Sequence, residues 1–497
     1  MPVRILKILT VCCWLALLFL LVQQDFLVPT LQDEERAALI RAKYEQYYGV
    51  HLYDRRIGYV LEDFRPREDG GYRVRQKSSL RLKVLNSVQP VSMELNAQLD
   101  SSLRLQIFAF TFSSPFYSTT AEGRVQGNTV HFTLQTSGTT ISDAVTLQTP
   151  PLLPLHQRGY LLNKLPEKGD KLKIPFFDPL TLADQESVIT YKGKNKRLIS
   201  GRVHKLHHFM QSYAGMQINF WLDDEGKVIK EKSPTGFVFL AEPKFKAMNI
   251  RDGGEELLSA VAVQYSGELL PEKTEVARYH LQFPEEAEVN LEGGRQQVVD
   301  GGGNGSTVLL AQETFPPLSE SDPPDDSGIK GENSCAADET ALRPSRYVQA
   351  DDPYIVEKAK EIVGATADPA NQAALLAKWV YQNIEKRPVI GLPDARSTLE
   401  SGRGDCNEHA ALFAALARSL QIPTVIAAGV TLQNNAFYYH AWNEICINGQ
   451  WISLDTTVNQ LPADLYHIRF THGDLRGQLS IGGLIGKLQI EILQPEE

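Results

Sequence analysis

The dipeptide Asn448-Gly449 constrains this chain more than any other short stretch, because it sets how two neighbouring strands pair. Asn-Gly is the favoured pair for a two-residue hairpin turn, whose positive backbone angles match the twist of the flanking strands. Tyr438 to Ile447 before it alternates as a strand, and Gln450 to Asp455 returns. With that turn Ile447 faces Gln450, Trp442 faces Asp455 and His440 faces Thr457. His440 and Asp455 then stand on the same side of the sheet as diagonal neighbours, roughly 7–8 Å apart, a gap that side chains bridge. A carboxylate so placed can fix the tautomer and orientation of an imidazole.

A nucleophile for that pair lies upstream. In Gly402-Arg403-Gly404-Asp405-Cys406 the glycines end a loop, and from Asn407 onward Leu412, Phe413, Leu416 and Leu420 recur at helical spacing until Ile422-Pro423. Cys406 therefore starts a buried helix. Unpaired N–H groups and the helix dipole favour an anion there, so the thiol pKa is expected to fall and the thiolate to become available. The same N–H groups can hold a developing oxyanion. A helix-start Cys that is merely buried is the plain alternative, and the His440–Asp455 pairing argues against it. Cys446, opposite Trp451 in mid-strand, has no helix terminus beside it and reads as a small buried hydrophobe. His409 and Glu408 lie one turn into the helix, where His409 could tune the thiol or simply pack.

These motifs resemble the core of the transglutaminase-like superfamily. The resemblance is carried by Gly402-Arg403-Gly404-Asp405-Cys406, the Ala411–Arg418 helix, Ile422-Pro423, His440-Ala441-Trp442 and Leu454-Asp455-Thr456-Thr457, in the family's order. It implies an α+β, papain-like fold, with a Cys-bearing helix packed on an antiparallel sheet that carries the other two residues. It also implies Cys406 as nucleophile, His440 as general base and acid, and Asp455 as the orienting carboxylate. Family members cross-link glutamine to lysine, act as proteases or amidases, or have lost activity. The polar residue that completes the oxyanion hole in some members has no evident counterpart.

The rest of the chain supplies context. Residues 1–24 hold Arg4 and Lys7 ahead of an apolar run, of roughly the length that spans a bilayer. No small-x-small site follows, so an uncleaved signal anchor is expected, with a cleaved signal peptide as the alternative. Basic residues before the run, and Asp33, Glu34 and Glu35 after it, place the bulk of the chain outside the cytoplasm, on a bacterial inner membrane. Residues 25–48 read as a juxtamembrane helix, from Ile40, Tyr44 and Tyr47 at three-to-four spacing. Residues 49–258 are short alternating runs between turn residues, the pattern of an antiparallel sheet, a sandwich or a partly open barrel. Residues 259–316 form a strand-containing connecting region. Residues 317–343, rich in Ser, Pro, Asp and Gly, make a flexible linker in which Cys335 looks incidental. Residues 344–497 are the transglutaminase-like domain.

A formal charge of −10 argues against nucleic acid as a partner. Strand spacing points His204, His207 and His208 to both faces, so they do not converge on a metal. No phosphate loop or dinucleotide fingerprint is visible, and no cofactor is expected. The expected function is a membrane-anchored, periplasmic cysteine enzyme that attacks protein or peptide amides through a thioester. Hydrolysis is favoured over cross-linking, since nothing in the sequence excludes water. The rival is a silent scaffold module of an envelope complex.

Overall fold

The computed structural model describes residues 44–494, apart from short internal segments of which 251–260 and 317–334 are the longest. The proposed anchor and most of the proposed juxtamembrane helix lie outside the described residues. The end of that helix is corrected: Tyr44–Leu52 is a strand. It sits in mid-sheet, paired with Arg55–Pro66 on one side and Phe237–Glu242 on the other. Two partner strands, and burial of Tyr47, Tyr48, Val50 and Leu52, override a spacing that fitted a helix. Among the described residues no helix is long and apolar enough to cross a membrane.

Among the described residues, fourteen strands from Tyr44 to Glu242 form one antiparallel sheet. The chain runs outward by hairpins to Thr140–Thr146, then resumes at Lys171–Asp178 and returns to the first strand. Those two edge strands do not pair with each other, so the sheet is open. Alternation is clean where one face is buried, as in Thr129–Gln135, where Val130, Phe132 and Leu134 point inward. This sheet docks beside the segment leading to the cysteine. Tyr347 and Leu392 join its core, and Tyr117 packs so closely on Gly391 that a Cβ there would lie 2.5 Å from the ring.

The last third builds the site. Helices α1 (Pro353–Val363), α2 (Pro369–Asn383), α3 (Ala395–Ser401) and α4 (Cys406–Ser419) are each capped by an aspartate, at positions 352, 368, 394 and 405. Strands β1 (Thr424–Gln433), β2 (Ala436–Ile447), β3 (Gln450–Leu454) and β4 (Ile468–His472) form a sheet in the order β3-β2-β1-β4. The β2–β3 register runs from Ile447–Gln450 to Asn443–Leu454, pair for pair as the Asn-Gly turn dictates. The turn residues Asn448 and Gly449 both have positive φ.

Residues 265–311 are more than a connection. Strands Tyr265–Ser266, Val276–Gln282, Gln296–Gly302 and Gly305–Ala311 form a second sheet, completed by the chain's last strand, Gln489–Leu493. The catalytic sheet divides its side chains between two cores. Ile426, Ala441, Ile445, Ile452 and Leu454 pack with the helices. Ala428, Val430, Phe437, Ile468 and Phe470 pack with the second sheet.

Cys335 is also corrected. It is buried and disulfide-bonded to Cys446, with Cα atoms 5.7 Å apart across 111 residues. Cys446 is thus half of a cross-link, and among the described residues Cys406 is the free thiol. Closing so long a loop restricts the unfolded chain strongly. Replacing both Cys335 and Cys446 by Ser should lower stability by about 2–5 kcal/mol, read as an earlier urea midpoint. Coincident midpoints would contradict a structural role for the bridge.

Candidate active site

The cysteine is delivered by a tight run of local structure. Helix α3 ends at Gly402, whose φ of 64° is the left-handed conformation that favours glycine. Arg403–Gly404 then pairs in parallel with Glu385–Lys386. Gly404 must lack a side chain, because a Cβ would lie 2.3 Å from that of Glu408. Asp405 caps α4 in a capping box. Its carboxylate accepts the Asn407 N–H at 3.0 Å, and Glu408 Oε2 accepts the Asp405 N–H at 2.9 Å. Burial and the Asp405 carboxylate push the Glu408 carboxyl well above the usual range. Cys406 is the first residue of α4, and its side chain is partly open to solvent.

Asn443 of β2 ties the cysteine helix to the histidine strand. It is fully buried, and its Nδ2 donates to the Ala410 carbonyl at 3.0 Å. The His440 side chain and the Ala441 backbone lie against the Cys406 thiol, where both favour its ionised form. His440 Nε2 donates to Asp455 Oδ2 at 2.6 Å, which leaves Nδ1 for the sulfur. Asp455 follows β3 directly, and its Oδ1 accepts the Thr457 N–H at 2.7 Å. The structure thus brings Cys406, His440 and Asp455 together, with His440 beside the thiol and hydrogen-bonded to Asp455.

Electrostatics follow from burial and pairing. Burial works against a charge on His440, but the Asp455 carboxylate and the Cys406 sulfur outweigh it and raise its pKa to about 10. Asp455 is held well below the usual carboxylate range, because His440 and His467 more than offset its burial. Burial pushes the Cys406 thiol up, with the His440 charge pulling it back. That corrects the expectation that the helix terminus alone would depress it. The thiolate here depends on the imidazolium more than on the dipole.

Four other histidines are placed. His409 is fully buried, its Nδ1 donates to the Asp405 carbonyl at 2.7 Å, and burial lowers its pKa, so it packs as a neutral ring. Of the distal histidines, His207 bonds Tyr191 and Asp224 while His208 stacks on Trp221. His467, which the sequence reading missed, is fully buried with Nε2 3.1 Å from Asp455 Oδ2. Its local signal was only the Asp464-x-x-His467 spacing, in a segment without strong periodicity.

His440, Asp455 and His467 place three potential ligand atoms within 4.8 Å of one another. Two ligands on one tetrahedral zinc stand about 3.3 Å apart, whereas His440 Nε2 and Asp455 Oδ2 are 2.6 Å apart. A shared proton fits that gap better than a metal does. A cavity of about 600 Å³ bordered by His280 and Lys487 holds none of these groups. A cleft of about 150 Å³, bordered by Tyr381, Thr456 and Gln460, reaches Asp455.

Residues 356–456 match the family model of the transglutaminase-like superfamily, and that stretch of the chain belongs to it. The matched span contains Cys406, His440 and Asp455 and ends before His467. No curated protein matches the chain. Among solved structures, the chain is similar to a provisionally named cysteine protease from Cytophaga hutchinsonii, at 19% identity over 46% of this chain and 82% of that one, with a TM-score of 0.29. It is similar to a β-barrel-like protein of unknown function from Brucella abortus, at 11% identity over 40% and 94%, with a TM-score of 0.32. A provisionally named protease from Parabacteroides distasonis matches at 10% identity over 73% and 67%, with a TM-score of 0.21.

A folded pKa above the unfolded 6.5 means that His440 contributes stability present in full below pH 6.5 and lost as pH rises through about 10. Imidazole ¹⁵N NMR at pH 8 should therefore show His440 as the doubly protonated cation. A midpoint near 6.5 would contradict the buried ion pair.

Proposed function

We propose that this chain is a cysteine enzyme that cleaves amide bonds of a protein or peptide through a thioester on Cys406. The observation that carries the reading is a part-exposed, free cysteine beside a buried imidazole that is hydrogen-bonded to a buried carboxylate. The Cys406 thiolate would attack the amide carbonyl to form a tetrahedral oxyanion. The Asp405 carboxylate takes the Asn407 and Glu408 N–H groups, so the Cys406 N–H is the first-turn donor left to face that oxyanion. His440 Nδ1–H would protonate the departing amine as the C–N bond breaks. His440 then deprotonates a water that attacks the thioester, releasing the acid and regenerating the thiolate–imidazolium pair. Water is favoured as acceptor because Cys406 is part-exposed rather than sealed from solvent.

We place the enzyme outside the cytoplasm, held by its N-terminal apolar segment. The Cys335–Cys446 bridge supports this, since disulfides persist in oxidising compartments. The order of basic residues followed by an apolar run supports it too.

The test is to incubate the protein with labelled casein, a general protein substrate, and a fluorescent alkylamine. Cleavage without amine incorporation is expected, falling at least about 1000-fold in Cys406→Ala. Incorporation in preference to cleavage would keep the thioester and reject hydrolysis. Turnover undiminished in Cys406→Ala would sink the enzyme reading.

A further inference from the structure

A thiol–imidazole–carboxylate site needs one acceptor behind its histidine, yet Asp455 serves two rings. Oδ2 receives His440 at 2.6 Å and His467 at 3.1 Å, and Oδ1 receives the Thr457 N–H. The other nitrogen of His467, Nδ1, lies 2.8 Å from Asp464 Oδ1. With a carboxylate at each ring nitrogen, His467 donates from both and is held as a cation. Its ring also lies against those of His440 and Trp442.

Asp464 is fixed in turn. Its Oδ2 accepts from Gln460 Nε2 at 2.9 Å, and its Oδ1 accepts the Tyr466 N–H at 3.0 Å. The loop bearing Asp464 and His467 is braced from the second sheet by Arg295. That side chain is 4% exposed and donates to the carbonyls of Ala463 and Asp464 at 2.7 Å and His467 at 3.0 Å. Burying a guanidinium is expensive unless its donors are met. Here they are spent on a short loop whose function the acyl-transfer steps do not explain.

The need for such a brace follows from the hairpin. Ladder pairing of β2 with β3 ends at Asn443–Leu454, one residue short of Asp455. Beyond the ladder the Asp455 backbone bridges Gln460 in both directions, so the setting of its carboxylate depends on the loop that runs from Gln460 to His467. We propose that His467, held by Asp464 and the Arg295 brace, is a positioning residue that keeps the Asp455 carboxylate turned toward His440. Without its donor, Asp455 can rotate away, the imidazolium loses its partner, and the Cys406 thiolate loses its counter-charge. The inference rests on the acyl-transfer reading of Cys406.

The test is the pH dependence of Cys406 alkylation by iodoacetamide in the full chain, with labelling sites read by mass spectrometry. His467→Leu should slow alkylation at pH 7 about tenfold and move the profile alkaline by about one pH unit. His467→Gln, whose amide can replace the Nε2 donor, should restore most of the rate. A role in packing alone would not produce that rescue. A folded His467→Leu protein with an unmoved profile overturns the proposal, as does a Gln variant no better than Leu. If His467→Leu fails to fold by circular dichroism, Asp464→Asn should move the profile the same way by less, and an unmoved profile there also overturns it. The underlying reading is judged separately. If His440→Ala leaves alkylation of the otherwise native chain unchanged, the acyl-transfer site itself fails. If His440→Ala slows it and the His467 and Asp464 variants do not, only the positioning role fails.

Discussion

Burying an ionised carboxylate is costly unless its lone pairs are met, and the Asp455 side chain is 1% exposed. It stays charged because three donors converge on it: the rings of His440 and His467 and the Thr457 N–H. That charge holds His440 protonated, and protonated His440 pulls the Cys406 thiol back against the burial that raises it. The site's reactivity thus descends from one desolvated anion, two steps from the sulfur. Much of the surrounding fold keeps that anion in place.

The second sheet is the clearest case. It receives the chain's final strand, shares a core with β1, β2 and β4, and sends Arg295 into the loop behind Asp455. A related cluster lies nearby, where Glu444 accepts from His472 and Arg469 donates to the carbonyls of Glu292 and Gly293. Buried polar contacts of this kind add little net stability but penalise any other arrangement. They fix how the second sheet seats on the catalytic sheet. The cysteine helix is held by comparable contacts, from Asn443 to the Ala410 carbonyl and from Arg418 to the Thr424 carbonyl.

Local chemistry was legible in the sequence, and long-range pairing was not. Asn448-Gly449 is a short-range signal with one favoured geometry, so the register as far as Asn443–Leu454 could be read directly; Asp455 then leaves the ladder to bridge Gln460 rather than facing Trp442, although it still meets His440. Gly402, Gly404 and the apolar spacing after them likewise announced the start of α4. Cys335 sits in polar, Pro-rich sequence, and no local pattern shows that it meets Cys446 across 111 residues. His467 and Arg295 carry no periodic mark, and their meaning comes from partners far along the chain. Tyr44–Tyr48 misled because aromatic residues at that spacing suit either element, and sheet pairing decided. The Cys406 thiol misled because the helix terminus is visible in sequence while burial is not.

The central claim is that Cys406, activated by His440, forms a thioester. The most direct measurement is intact-mass spectrometry after brief exposure to an activated acyl ester, with the labelled residue mapped by peptide digestion. The account requires an acyl adduct on Cys406 that hydroxylamine discharges, and that is lost in Cys406→Ala and sharply slowed in His440→Ala. No adduct on Cys406, or one that forms equally fast in His440→Ala, would contradict it.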